Sequence, residues 1–222
     1  MRNWGKDCRA DPSGFCHHIM QVDFSSMAPR DAYSWLVSMI VPRPIAWVST
    51  RSESGVTNLA PFSFFNGVTS RPPTLMFVPV TKIDGTPKDT LRNIEATREF
   101  VVNLVSAELG QAMSNTAAAL PYDESEFDRF SIASAPSAQV KPPRVAAAPI
   151  SFECQLETIT RLGDYPGVAN VVFGRIMCAH VQDCVLDEAG RIDSAKLDLI
   201  GRMGSDGYCF TRDQFSIDRP AH

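Results

Sequence analysis

Apolar and polar positions alternate along Ile150, Phe152, Cys154 and Leu156, with Ser151, Glu153, Gln155 and Glu157 between them. Side chains of an extended strand point to opposite faces in turn, so this pattern predicts a strand half buried on a core. A second long strand is expected over residues 169–181, where Gly174 marks a bulge or a close approach of backbone. Residues 100–105 are apolar apart from Asn103 and read as a buried strand. Nearer the start, two apolar segments at 45–50 and 58–66 flank Arg51-Ser52-Glu53-Ser54-Gly55. A polar run ending in glycine between two such segments predicts a β-hairpin. Single strands are expected over 45–50, 60–68 and 74–80.

Helical spacing is sparser. Tyr33, Leu36, Val37 and Ile40 recur at three to four residues, predicting a helix that begins near Pro29 with Ser25 or Ser26 upstream. A second runs from Thr90 through Leu91, Ile94 and Thr97, capped by Asp89. Ser106 heads a third that uses Leu109, Ala112 and Met113, and residues 124–130 read as a helical turn. Between 133 and 149 the chain is rich in Pro, Ala and Ser without the Gly/Ser composition of a tether, so it is expected to cross the fold as ordered, extended chain. Strict strand–helix alternation is missing. The expected class is therefore mainly β with helical insertions, a β-barrel rather than a doubly wound sheet. Residues 1–20 read as a poorly ordered arm and 21–222 as a single domain.

Composition narrows the function classes. With 222 residues, 44% hydrophobic and 21% charged, the chain has material for a sizeable core. A net charge of -4 with no basic run argues against a nucleic-acid binder. No window suits a transmembrane helix. The first residues carry Arg2, Lys6 and Arg9 without an apolar run, so no secretory leader is read there. Cys8, Cys16, Cys154, Cys178, Cys184 and Cys209 include no C-x-x-C pair. Cys154 and Cys178 lie in strand-like runs, where a free cysteine acts as a small buried hydrophobe. Cys16-His17-His18 lacks the spacing of a metal site, so none is expected, and the compartment expected is reducing cytoplasm.

The chemistry-bearing segments suit a phosphorylated aromatic cofactor, of which a flavin is the best candidate. Lys88-Asp89-Thr90 places a lysine and a hydroxyl at a helix N-terminus, where free N–H groups attract an anion. The same tripeptide also reads as an ordinary capped surface helix. Ser49 and Thr50 end a strand, where hydroxyls can reach a ligand at a barrel rim. Phe62, Phe64 and Phe65, interleaved with Ser63 and Asn66, offer apolar surface with polar contacts. Gly201, Gly204 and Gly207 have a G-x-x-G-x-x-G spacing, but too little chain remains beyond them for a βαβ unit. His180 alternates on a strand and is left out of the site. No triad or pair of carboxylates is evident, and no catalytic residue is assigned.

Taken in order, these segments resemble the flavin reductase-like family of FMN-binding split β-barrel proteins. The resemblance rests on Pro42-Arg43-Pro44-Ile45-Ala46-Trp47-Val48-Ser49-Thr50 and Asn58-Leu59-Ala60-Pro61-Phe62-Ser63-Phe64-Phe65-Asn66. To these are added Arg71-Pro72-Pro73, Lys88-Asp89-Thr90-Leu91-Arg92-Asn93-Ile94 and Glu99-Phe100-Val101-Val102-Asn103-Leu104, then Pro142-Pro143-Arg144-Val145 and Gly201-Arg202-Met203-Gly204 with Tyr208. It implies a homodimer that binds FMN near the subunit interface and takes hydride from NAD(P)H, often to supply a partner monooxygenase. By matched positions, Ser49, Thr50, Lys88 and Thr90 would hold the phosphate and ribityl end. Pro61, Phe62, Ser63, Phe64 and Asn66 would line the isoalloxazine, with Arg202 and Tyr208 closing the site. The alternatives are a flavoredoxin-like electron carrier and a non-catalytic flavin-binding module.

Overall fold

A computed structural model describes residues 20–82, 84–163, 167–218 and 220. The expected arm lies outside these residues except for Met20, and so do Cys8, Cys16, His17 and His18. The hairpin is present. Ala46–Arg51 (β1) and Thr57–Phe62 (β2) run antiparallel, with Ala46 opposite Phe62 and Arg51 opposite Thr57. Gly55 closes the loop at φ +95°, a left-handed conformation that glycine adopts without strain.

The single strand expected over 60–68 is instead two. β2 stops at Phe62, Ser63 and Phe64 turn the chain, and Phe65–Ser70 (β3) pairs with Pro73–Phe77 (β4) instead of with β1. The remaining long strands are Glu99–Asn103 (β5), Ile150–Leu162 (β8) and Ala169–Val181 (β9). Between β5 and β8 come the two-residue strands Ser134–Ala135 (β6) and Arg144–Val145 (β7), which pair with each other. Ile200–Met203 (β10) and Gly207–Phe210 (β11) form a terminal hairpin.

Seven strands make one antiparallel sheet in the order β2-β1-β5-β8-β9-β4-β3. β2 and β3 are therefore at opposite ends of the order, yet only two residues separate them in sequence. The sheet must curl until its ends meet. The core confirms this: Phe62 of β2 and Phe77 of β4 stack with centroids 5.1 Å apart, and Phe100 of β5 lies 5.4 Å from Phe77. Burial of these rings with Val48, Val102, Cys154 and Val172 fills the interior.

Gly174 is the expected close approach. A Cβ there would stand 2.2 Å from Cζ of the fully buried Phe100. The expected polar face of β8 is open to water only in part: Gln155 and Glu157 are exposed as the alternation predicts, while Ser151 and Glu153 are not. Ser151 is 1% exposed and Glu153 is fully buried, because the 133–149 crossing lies over them. Cys178 also departs from expectation: it is half buried on the outer face rather than a core residue.

The helices fall where expected, with local differences. Pro29–Met39 (α1) buries only Val37, while Tyr33, Leu36, Met39 and Ile40 stay exposed. Ala28, rather than Ser25 or Ser26, is its N-cap. Asp89–Thr97 (α2) has Lys88 as N-cap, so Asp89 sits in the first turn and does not cap. Ser106 precedes a short 3₁₀ turn and then Gly110–Asn115 (α3). Glu126–Arg129 (α4) and Ser194–Leu197 (α5) are single turns. Among the described residues no helix is long and apolar enough to cross a membrane.

Candidate functional site

The corner at Ser63 and Phe64 is where the curled sheet opens. Two clefts of about 330 and 210 Å³ meet there and share Pro61, Phe62 and Ala117 on their walls. Together they form a groove that passes from α2, across the end of β2, to the β10–β11 hairpin.

The α2 end is polar and cationic. Lys82, Lys88, Asp89 and Thr90 line it with Asn58 and Glu126. No side chain caps α2. An α-helix leaves its first N–H groups without partners inside the helix, and they carry a partial positive charge. Lys88 is exposed at that terminus and Lys82 lies 3.6 Å from Asp89, and both lysines line the cleft beside the start of α2. This donor set fits a phosphate monoester. Thr90 is buried, and Asn58 Nδ2 donates to its Oγ1 at 3.0 Å, fixing the hydroxyl at the cleft wall.

Glu126 is the unexpected member. Its Oε2 accepts the Leu59 N–H at 2.8 Å, yet the side chain lines the cleft. Burial pushes its pKa above the ordinary carboxylate value, more strongly than the N–H bonds pull it down, and the Asp89 charge adds to the rise. A glutamate that takes a proton easily is less repulsive to an anion than its formal charge suggests.

The opposite end is built around Arg43. This guanidinium is 4% exposed and donates to Val37 O and Ile40 O at the end of α1, to Gly204 O and to Ser63 Oγ. It ties helix, corner and hairpin turn into one wall. Burial lowers its pKa and the nearby Arg202 charge lowers it further, although a guanidinium remains protonated. Arg202 stacks on the Tyr208 ring at 4.7 Å and donates to the Tyr208 hydroxyl and Ser205 O. Tyr33 faces the cleft and meets Phe64 edge-on at 6.3 Å.

The structure thus gathers Pro61, Phe62, Ser63, Lys88, Thr90, Arg202 and Tyr208 along one groove, with Phe64 at its margin. Three expected site residues lie elsewhere. Asn66 is exposed on β3, where its Oδ1 accepts the Gly67 N–H. Ser49 and Thr50 are fully buried behind the groove. Ser49 Oγ donates to Pro143 O and accepts from Asn103 Nδ2, while Thr50 Oγ1 accepts from Asn93 Nδ2. Asn93 in turn accepts the Tyr122 hydroxyl at 2.7 Å. Arg43, Asn58, Lys82 and Glu126 were missed as wall residues. Of these, Arg43 and Asn58 had a signal, their places inside the 42–50 and 58–66 motifs; Lys82 and Glu126 had none.

A curled antiparallel sheet with an uncapped helix terminus and an aromatic, arginine-walled groove at its open corner is a split β-barrel. A family model described as the flavin reductase like domain matches residues 38–196, and the chain belongs to that family. An uncharacterized protein of Deinococcus radiodurans is 41% identical over 206 residues, covering 89% of this chain and 88% of that one. The crystal structure of nitrilotriacetate monooxygenase component B from Bacillus cereus superposes with a TM-score of 0.85 at 32% identity, covering 90% and 99% of the two chains. The 2-nitrobenzoate 2-nitroreductase NbaA of Pseudomonas fluorescens gives a TM-score of 0.80 at 29% identity, covering 90% and 96%. The chain is therefore a flavoprotein of the oxidoreductase type.

Proposed function

We propose that this protein is an FMN-dependent NAD(P)H:flavin oxidoreductase that acts as a homodimer and supplies reduced flavin to a partner monooxygenase. The observation that carries the reading is the groove itself: one end has two lysines beside the uncapped start of α2, and the other is walled by Arg43, Arg202 and the Tyr33 and Tyr208 rings, with Phe62 between them. Lys82, Lys88 and the α2 N–H groups would hold the phosphate, and Thr90 and Asn58 would face the ribityl chain. Pro61, Phe62 and Ser63 would lie along the ring, with Arg202 and Tyr208 over its far edge. FMN, when bound, supplies the hydride chemistry. The chain's own work is to orient it and to keep one face open to a nicotinamide.

Two further observations support the wider reading. Nitrilotriacetate monooxygenase component B, the 32% identical structure, is by its name one part of a monooxygenase system. The exposed Tyr33, Leu36, Met39, Ile40 and Val41 form an apolar stripe beside the groove, of the kind that a second copy covers.

Oxidation of NADH and NADPH by the purified protein, measured with and without added FMN, tests the activity. The expected result is turnover that rises with free flavin, in a protein that sediments as a dimer at micromolar concentration. Tight FMN binding without nicotinamide oxidation would assign an electron carrier instead. Bound flavin that no donor reduces would leave a binding module.

A further inference from the structure

The outer face of β8 and β9 holds a second set of reactive side chains that shares no residue with the groove. Glu153 of β8 pairs directly with Cys178 of β9, and Ser151 with His180. In an unbroken strand Cys178 would face the same way as Ile176, which packs on the core. The register shifts here: Cys154 opposes Ile176 while Glu153 opposes Cys178, so Met177 is an extra residue. Such a bulge re-aims the side chains on its C-terminal side. It turns Cys178 and His180 over to the side of Glu153, and the carboxylate oxygen, thiol sulfur and imidazole nitrogen come within 4.8 Å of one another.

We propose that Glu153, Cys178 and His180 bind a divalent zinc-class metal ion, with water as the fourth ligand. Thiolate, imidazole and carboxylate are zinc's protein ligands, and three of them with one open position is a familiar zinc arrangement. The sulfur selects against magnesium and calcium. The carboxylate is already oriented. Its oxygens accept the N–H groups of Ala138 at 2.7 Å, Gln139 at 2.6 Å and Val140 at 3.2 Å, the kind of outer support that fixes a metal ligand. By contrast, the sulfur is barely engaged: its partners are Ala179 O at 3.9 Å and His180 Nε2 at 4.0 Å.

Room and access are present. Cys178 and His180 are only half buried, and a hollow of about 350 Å³ opens beside His180, bordered by Arg144 and Gln182. The Arg144 side chain is held aside by its Nε donating to Pro136 O at 3.2 Å. Zinc–ligand lengths of about 2.0–2.3 Å set tetrahedral ligand atoms roughly 3.3–3.7 Å apart. The sulfur therefore moves in, by a few tenths of an ångström toward the His180 nitrogen and by up to about an ångström toward the carboxylate oxygen, and the imidazole, now hydrogen-bonded to Glu153, draws back. Binding releases the Cys178 thiol proton and the proton shared between His180 and Glu153 to solvent.

Equilibrium dialysis of the full chain against Zn²⁺, with bound metal counted by atomic emission, tests this without any flavin turnover. One zinc per chain is expected, with affinity that rises with pH. Cys178→Ser and His180→Gln should each weaken it by about a hundredfold, with unchanged circular dichroism and FMN binding reporting an intact fold. Cys184→Ser, Cys209→Ser and a combined Cys16→Ser, His17→Gln, His18→Gln variant should bind zinc as the parent does. No bound zinc, zinc retained in Cys178→Ser, or zinc lost only with the N-terminal triple change would each overturn the site.

Discussion

Two glutamates lie out of water in this protein, and their surroundings push them in opposite directions. Glu126, on the groove floor, is 6% exposed; its side chain has the Leu59 N–H as its partner and the Asp89 charge nearby. Burial wins there, and its pKa rises. Glu153, under the 133–149 crossing, is fully buried, and burial alone would raise it as well. The Ala138 and Gln139 N–H donors together with His180 reverse the sign and hold its carboxyl below the ordinary range. Burial sets the size of the penalty, but the number of donors decides whether the charge survives it. The groove has a carboxyl that gives up its charge more readily than an ordinary one. The crossing needs one that keeps its charge and holds a loop.

The largest effect expected from this contrast is on stability. Glu153→Ala leaves the N–H groups of Ala138, Gln139 and Val140 without their acceptor, and should cost about 3–5 kcal/mol in urea unfolding. Glu153→Gln, which keeps an acceptor oxygen, should cost clearly less. A loss under about 1 kcal/mol for the alanine variant would break the comparison.

Next comes a cation that lines the same cleft as Glu126. Lys88→Ala should weaken FMN about ten- to a hundredfold by fluorescence titration and leave riboflavin, which has no phosphate, unchanged. Equal losses for both ligands would remove Lys88 from the phosphate end.

The smallest effect belongs to Glu126 itself. Glu126→Gln keeps an oxygen for the Leu59 N–H and removes a negative charge, so FMN should bind a few-fold tighter near neutral pH. Unfolding across pH separates the two residues. The Glu126 contribution is full below the ordinary value of 4.5 and is lost as pH rises through its elevated pKa. That of Glu153 is present above 4.5 and is lost as pH falls through its depressed pKa. If the glutamine variants alter the same limb of the stability curve, the opposite signs are wrong.

Much of the scaffold was legible in the sequence because it is written in local patterns. The 46–62 hairpin, the alternation of β8 and the start of α2 each derive from residues within one window. The parts that were not legible depend on distant chain. The break at Ser63 has no glycine or proline within it, and arises because β3 finds its partner in β4 at the far edge. Gln155 and Glu157 of β8 are exposed as the alternation predicts, but Ser151 and Glu153 are not, because alternation cannot show the crossing that covers them. Ser49 and Thr50 looked like rim hydroxyls, yet Asn103 and Asn93 claim them from neighbouring elements. Arg43 was passed over because arginine ordinarily sits in water, whereas here four oxygens receive it.

The contact at Gly174 also bears on how this family can drift. The Phe100 ring occupies the space that any side chain at 174 would need, and Phe77 packs against that ring. Neither position can change freely alone. A methyl group at 174 must wait for a smaller residue at 100, and shrinking the ring first opens a void that the glycine cannot fill. If the contact constrains drift in this way, a bulkier residue at 174 should travel among relatives with a smaller one at 100.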